Sequence, residues 1–175
     1  MSFAHSSIGK PIVAAVLTIS DSAAAGRRAD ASGPAVRDRL QQLGWQVSIT
    51  DVLPDEAPGI SERLKAVADG GAVSAIFTTG GTGVALRDVT PEATRAVIDR
   101  EIPGLGELMR AQGLRSTPMA VLSRGLAGTR GTVLIVNLPG SPKGAVESLD
   151  AIVRVVPHVL DLLRGHTDHA AALQE

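Results

Sequence analysis

Ile12 to Ile19 is an almost unbroken apolar run, the pattern of a strand that helices cover on both faces in a parallel sheet. Such a strand needs helices supplied by the same chain, and the next residues provide one. After Ser20-Asp21-Ser22 and a loop through Gly26, the spacing Val36, Leu40, Leu43 marks one helical face, which Gly44 stops. This is a first strand-to-helix step.

The step repeats. Trp45, Val47 and Ile49 alternate as a strand, Leu53-Pro54-Asp55-Glu56 closes it, and Ile60, Leu64 and Val67 mark the next helix. Val73 to Thr79 reads as a third strand, followed by a glycine-rich loop and a helix on Ala93, Val97 and Ile98. Thr90 is expected as its N-cap, with Pro91 as the first helical residue. Pro103 to Gly113 reads as a helix, Val121 to Gly131 as irregular or hairpin-like, and Thr132 to Leu138 as a buried strand. A helix with Val146, Leu149, Val153 and Val156 on one face follows, broken at Pro157 from a last helix ending near Gly165. The alternation implies α/β architecture: a three-layer αβα sandwich with a mostly parallel sheet and right-handed crossovers.

The chain has 175 residues, enough for one domain that buries roughly 70% of its unfolded surface. Residues 11–165 are expected to form it, between flexible tails at 1–10 and 166–175. With one Trp, two Phe and no Tyr, aromatic platforms for stacking bases are poorly supplied, and a net charge of −1 without a basic stripe excludes bulk polyanion binding. Nucleic acid and membrane are therefore not expected partners. The absence of cysteine rules out disulfides and thiolate metal sites, no segment resembles a signal peptide or a membrane span, and the cytoplasm is the expected location.

In such sheets ligands gather where strands end, and four turns qualify: Ser20-Asp21, Asp55, Thr79 to Gly83, and Pro139 to Lys143. Thr79-Gly80-Gly81-Thr82-Gly83 reads as a phosphate-binding turn, because glycine lets backbone N–H groups face an anion with no Cβ in the way. Taken alone, GGTG is more often a flexible turn; Arg87-Asp88-Val89-Thr90-Pro91-Glu92 behind it shifts the balance. Thr79 and Thr82 could donate hydroxyl hydrogen bonds, and Arg87 and Lys143 could neutralise phosphate charge. Their plainer roles are backbone bonding and surface solvation. Ser141 before Pro142 is expected as a helix N-cap compatible with an anion there; Ser123-Arg124 is a weaker candidate.

Asp55 and Asp88 occupy two of these turns. Two unit charges ~4 Å apart repel by about 4 kcal/mol at an effective dielectric near 20, so carboxylates beside a polyphosphate call for a divalent cation. Mg²⁺ takes one or two carboxylates together with phosphate oxygens and water, which suits a nucleotide site. Singly, each aspartate is more commonly a turn former or cap. Walker A and GxGxxG patterns are missing, no histidine lies near a strand end for Ser-His-Asp hydrolysis, and the metal-like spacing of His166-Thr167-Asp168-His169 falls in the expected tail. His158 is expected on a helix surface.

In order and spacing these pieces resemble the molybdopterin adenylyltransferase family of molybdenum cofactor biosynthesis, to which one domain of gephyrin also belongs. The resemblance runs from about Pro11 to Gly165 and rests on Thr18-Ile19-Ser20-Asp21, Leu53-Pro54-Asp55-Glu56, Thr78 through Glu92, Pro103-Gly104, Met109-Arg110, Leu122-Ser123-Arg124 and Asn137 through Lys143. It implies Mg²⁺-dependent transfer of AMP from ATP to the terminal phosphate of molybdopterin, releasing pyrophosphate. Asp55 and Asp88 match the family's two functional aspartates and are assigned to catalysis and to Mg²⁺; Thr79, Gly80, Gly81, Thr82 and Gly83 would bind nucleotide phosphates. Ser20, Asp21, Ser123, Pro139, Gly140, Ser141, Pro142 and Lys143 would serve the pterin. The resemblance further implies a homo-oligomer, a trimer or a hexamer built from trimers, and hand-over to a separate metal-insertion protein. Alternatives are a non-catalytic molybdopterin-binding protein and a nucleotide hydrolase of the competence-damage type, whose known members carry a further domain.

Overall fold

The computed structural model of the protein describes residues 11–166. The expected N-terminal tail and all but His166 of the expected C-terminal tail, with the His166 to His169 spacing, lie outside the described residues. Six strands form one sheet: β1 (Val13–Ile19), β2 (Gln46–Leu53), β3 (Ala75–Thr79), β4 (Arg100–Glu101), β5 (Ala127–Arg130) and β6 (Val133–Leu138), in the order β2-β1-β3-β6-β5-β4. β2, β1, β3 and β6 are mutually parallel, while β5 runs antiparallel to both β6 and β4. The irregular stretch before β6 thus contains the β5–β6 hairpin, and Gly131 turns it with a φ of 54°.

Among the described residues seven helices accompany the sheet: α1 (Asp21–Ala24), α2 (Ser32–Gln42), α3 (Ala57–Asp69), α4 (Thr90–Arg95), α5 (Pro103–Gly113), α6 (Pro142–Ile152) and α7 (Val156–Leu163), with a 3-10 turn over Pro118–Leu122. Strand alternation divides the core into two layers. Ala14, Val16, Phe77, Leu134 and Val136 meet α2, α5, α6 and α7 on one face; Ala15, Leu17, Ile76 and Ile135 meet α3 and the Ala93–Val97 region on the other. β1, β3 and β6 are buried along almost their whole length, as unbroken apolar runs require, whereas edge strand β2 alternates exposed and half-buried residues.

Two expectations need correcting. α6 buries Ala145, Leu149 and Ile152, while Val146 and Val153 are only half-buried, because the helix ends at Ile152 and its packed face is turned by one residue. Thr90 does not cap α4: Val89 is the N-cap residue and no side chain caps it. Thr90 is fully buried, and its hydroxyl donates to Gly80 O at 2.9 Å.

Candidate functional site

The pairings of β1, β2, β3 and β6 place the ends of four parallel strands at one sheet edge: Thr18 lies opposite Thr79, Thr79 opposite Leu138, and Ile19 opposite Leu53. The glycine loop leaves β3, and the turns after β1, β2 and β6 surround it. Gly80 has φ 102° and Gly81 φ 62°. A Cβ on Gly80 would run into Ile19 O, and one on Gly81 would collide with Thr90 Oγ1 and lie 2.9 Å from Asp55 Oδ1. Glycine is therefore demanded twice over, by backbone conformation and by close approach. Thr90 fastens the loop from below through Thr90 Oγ1 to Gly80 O, while Thr90 N donates to Gly81 O at 3.1 Å.

Two cavities meet at this loop. The larger, about 360 Å³, lies between the loop, α5, the 3-10 turn and the start of α6; Thr82, Gly83, Ser123, Pro139 and Ser141 are among its lining residues. The smaller, about 220 Å³, lies over the ends of β1 and β2 and is lined by Ser20, Asp30, Asp55, Gly80 and Pro142, among others. Gly81, Asp88 and Gly140 border both. Asp55 and Asp88 thus share the smaller cavity, and Asp88 stands on the divide.

Each acidic side chain is held by backbone amides. Asp21 N donates to Asp55 Oδ2 at 2.8 Å and Asp55 N to Asp21 Oδ1 at 3.0 Å. Arg87 grips Asp21 through Nε at 3.0 Å and Nη2 at 2.7 Å, and that guanidinium holds the Asp21 carboxyl below the usual carboxylate range. Asp55 is pushed the other way: burial raises its pKa, and the neighbouring charges of Asp21 and Asp88 add to the effect. Asp88 Oδ2 accepts from Ala85 N at 2.9 Å.

Several expected residues have structural partners. Thr79 is fully buried, donates to Pro139 O at 2.7 Å and lines neither cavity; Asp21 lines neither and is engaged by Arg87 and Asp55. Ser20 and Pro142 border the smaller cavity, whereas Ser123, Pro139 and Ser141 border the larger. Ser141 caps α6, accepting from Gly144 N at 3.1 Å, as its place before Pro142 implies. The side chain of Lys143 is 79% exposed and pairs with Glu147 at 3.7 Å. Arg87 and Asp21 close a bridge between two turns.

Two residues prove to be structural hubs, a role not read from sequence, where Arg124 is only a weaker candidate for anion binding and Asn137 part of a motif. Arg124 donates through Nε to Gly83 O and through Nη2 to Asp88 O, both at 2.6 Å, pairs with Glu92, and its amide donates to Thr82 O at 2.8 Å. It thereby ties both ends of the 82–88 segment together. Asn137, almost fully buried, donates to the hydroxyls of Thr78 at 3.0 Å and Thr94 at 2.9 Å, joining β6, β3 and α4 under the larger cavity. A buried asparagine in an otherwise apolar strand was the available signal.

Residues 15–159 match the family described as "Probable molybdopterin binding domain". A molybdopterin adenylyltransferase of Helicobacter pylori is 42% identical over 153 residues, which cover 86% of this chain and 87% of that protein. The molybdopterin adenylyltransferase of Escherichia coli is 40% identical, over 86% of this chain and 84% of its own. Among solved structures, the molybdopterin biosynthesis enzyme MoaB of Thermus thermophilus is 52% identical and superimposes with a TM-score of 0.83, covering 88% of this chain and 97% of that one.

Proposed function

Because this chain belongs to the molybdopterin-binding domain family of molybdenum cofactor biosynthesis, we propose that it is a molybdopterin adenylyltransferase, which joins AMP from ATP to the terminal phosphate of molybdopterin. The observation that carries the reading is the pair of cavities meeting across Gly81, Asp88 and Gly140. A transfer between two substrates needs two compartments with one shared boundary, and the larger and less acidic one suits the pterin. ATP phosphates enter the smaller one. An oxygen of the pterin phosphate attacks the α-phosphorus at the divide, the bond from that phosphorus to the bridging oxygen breaks, and pyrophosphate leaves with its electron pair.

In this reading the protein supplies alignment and charge neutralisation, with no covalent intermediate. Backbone amides of the Gly80 to Gly83 loop meet phosphate oxygens, and Thr79 serves by holding that loop to Pro139. Asp55 and Asp88 would hold Mg²⁺. The donor chemistry fits: two hard carboxylates share a cavity, and the charge of Asp88 adds to the burial that disfavours ionised Asp55 until a cation intervenes. No cluster of three or more His, Cys, Asp or Glu exists among the described residues, consistent with an ion whose remaining ligands come from phosphates and water. When bound, Mg²⁺ would offset charge on the triphosphate and the departing pyrophosphate.

The same reading takes residues 11–165 as the catalytic domain and places the protein in the cytoplasm. There it would act as a trimer or a hexamer built from trimers, with product passed to a separate metal-insertion protein. Exposed Leu86, Met119 and Val121 support self-association, and among the described residues no helix is long and apolar enough to cross a membrane. The test is to incubate the purified protein with molybdopterin, ATP and Mg²⁺ and to follow adenylated pterin and pyrophosphate by chromatography. Product that requires all three components is expected; pterin binding without product would move the protein to a non-catalytic role.

A further inference from the structure

A third cavity, about 270 Å³, opens where the end of α4, strand β4, helix α5 and the 123–126 segment come together. Arg95, Arg110 and Arg124 line it, and among the described residues Glu101 is the one carboxylate on its wall. Arg110 and Ser123 are shared with the larger cavity beside the glycine loop. Arg95, Glu101 and Arg124 border neither of the two cavities that meet there. The pairing of β4 with β5, which sets Glu101 opposite Gly128, assembles these side chains from distant parts of the chain.

The wall carries more positive charge than its acidic partners offset. Arg95 reaches Glu101 through Nε at 3.3 Å, and Arg124 pairs with Glu92, which stands outside the lining. Arg110 is half-buried and has no carboxylate partner: its Nη1 donates to Ser123 O at 3.3 Å and Gly125 O at 3.0 Å, while its Nε and Nη2 make no hydrogen bond. The Nη groups of Arg95 make none either. One full positive charge is therefore left over, in a recess whose protein walls weaken the screening that water gives at an open surface. Gly106 of α5 keeps the recess open, since a Cβ there would lie 3.2 Å from both Gly125 O and Arg110 Nη2.

We propose that this cavity is a binding site for a small phosphate-type oxyanion, separate from the pair of cavities at the glycine loop. Two guanidiniums with donors to spare suit the several acceptor oxygens of a tetrahedral phosphate, and a planar guanidinium meets two such oxygens at once. The Ser123 hydroxyl adds a neutral donor on the same wall. Arg124 connects the site to the rest of the fold: the guanidinium that lines this cavity also holds Gly83 O and Asp88 O at 2.6 Å, so a bound anion lies against the strut of the 82–88 segment. Anion binding here needs neither pterin nor ATP.

The test titrates inorganic phosphate by calorimetry, at neutral pH and constant ionic strength, into wild-type protein, Arg95→Gln and Glu101→Gln, with folding checked by melting temperature. Both substitutions lie on this cavity and on neither cavity at the glycine loop. Arg95→Gln removes a cation and is expected to weaken phosphate binding by about tenfold, whereas Glu101→Gln removes the competing carboxylate, releases Arg95 and is expected to tighten binding by about threefold or more. A gain in affinity cannot come from a damaged fold. Equal affinity in all three proteins places the phosphate elsewhere, at the glycine loop, and overturns the assignment. So does weakening in both variants, the mark of a general loss of structure, and so does a wild-type protein that binds no phosphate.

Discussion

Asp21 and Asp55 each accept a hydrogen bond from the other's backbone amide, at 3.0 and 2.8 Å across 34 residues of chain. The exchange fastens the turn after β1 to the turn after β2. It also spends one oxygen of Asp55, Oδ2, on structure and leaves Oδ1 beside Gly81. Arg87 covers the Asp21 carboxylate in this role and holds its pKa below the usual carboxylate range. Two aspartates on neighbouring turns are thus divided into a fixed anchor and a group with an oxygen to offer.

If that oxygen serves a cation, Asp55→Ala and Asp88→Ala will each lower AMP transfer by about a hundredfold or more. Circular dichroism and melting curves will show folded protein. Wild-type turnover in both variants would remove the proposed mechanism.

The raised pKa of Asp55 has a sign that can be measured. Its charged form is disfavoured in the fold, so Asp55 costs stability at neutral pH, and the cost fades as pH falls through the raised folded value toward the unfolded one. Asp55→Asn, which keeps an acceptor for Asp21 N, should melt higher than wild type at pH 7, with the difference shrinking in acid. Asp21 has the opposite sign: its lowered pKa contributes stability above the unfolded value, lost as pH falls through the folded one. Asp21→Asn should therefore melt lower at pH 7. Melting curves of both variants from pH 7 to pH 3 check the pair.

Gly80→Ala places a Cβ against the Ile19 carbonyl at a φ of 102°. Backbone must move, and a loss of about 2–4 kcal/mol is expected by urea denaturation. Gly131→Ala is the control. It has a positive φ but open space around the added carbon, and should cost no more than about 2 kcal/mol.

Arg124→Lys retains a cation for Glu92 but cannot bond Gly83 O and Asp88 O with one planar group. Turnover should fall about tenfold or more with a smaller change in the KM for ATP, since the loop is misplaced by fractions of an ångström. Glu92→Gln keeps both carbonyl bonds and should stay within about threefold of wild type. Steady-state kinetics on the two variants separate the strut from the ion pair.

The βα order, the parallel strands and the four converging turns were legible because each rests on local patterns: apolar runs with period, glycine stops, and proline at helix starts. Asp55 and Asp88 were legible as a pair because both sit in turns that follow strands, where an α/β sheet gathers its ligands. Side-chain partnerships were not legible in this way. Whether Thr90 caps a helix or locks Gly80, and whether Arg124 floats or ties Gly83 to Asp88, depend on residues far apart in sequence. They are settled when β1, β3 and β6 stack in register and bring those turns within hydrogen-bond reach. Periodicity sees one neighbour's face at a time, so the sequence by itself determined the elements, their order and the turns that carry the site. Only the packed sheet decided which donors were consumed in holding those turns and which were left for a ligand, because hydrogen bonds are short and directional and their partners are chosen in space.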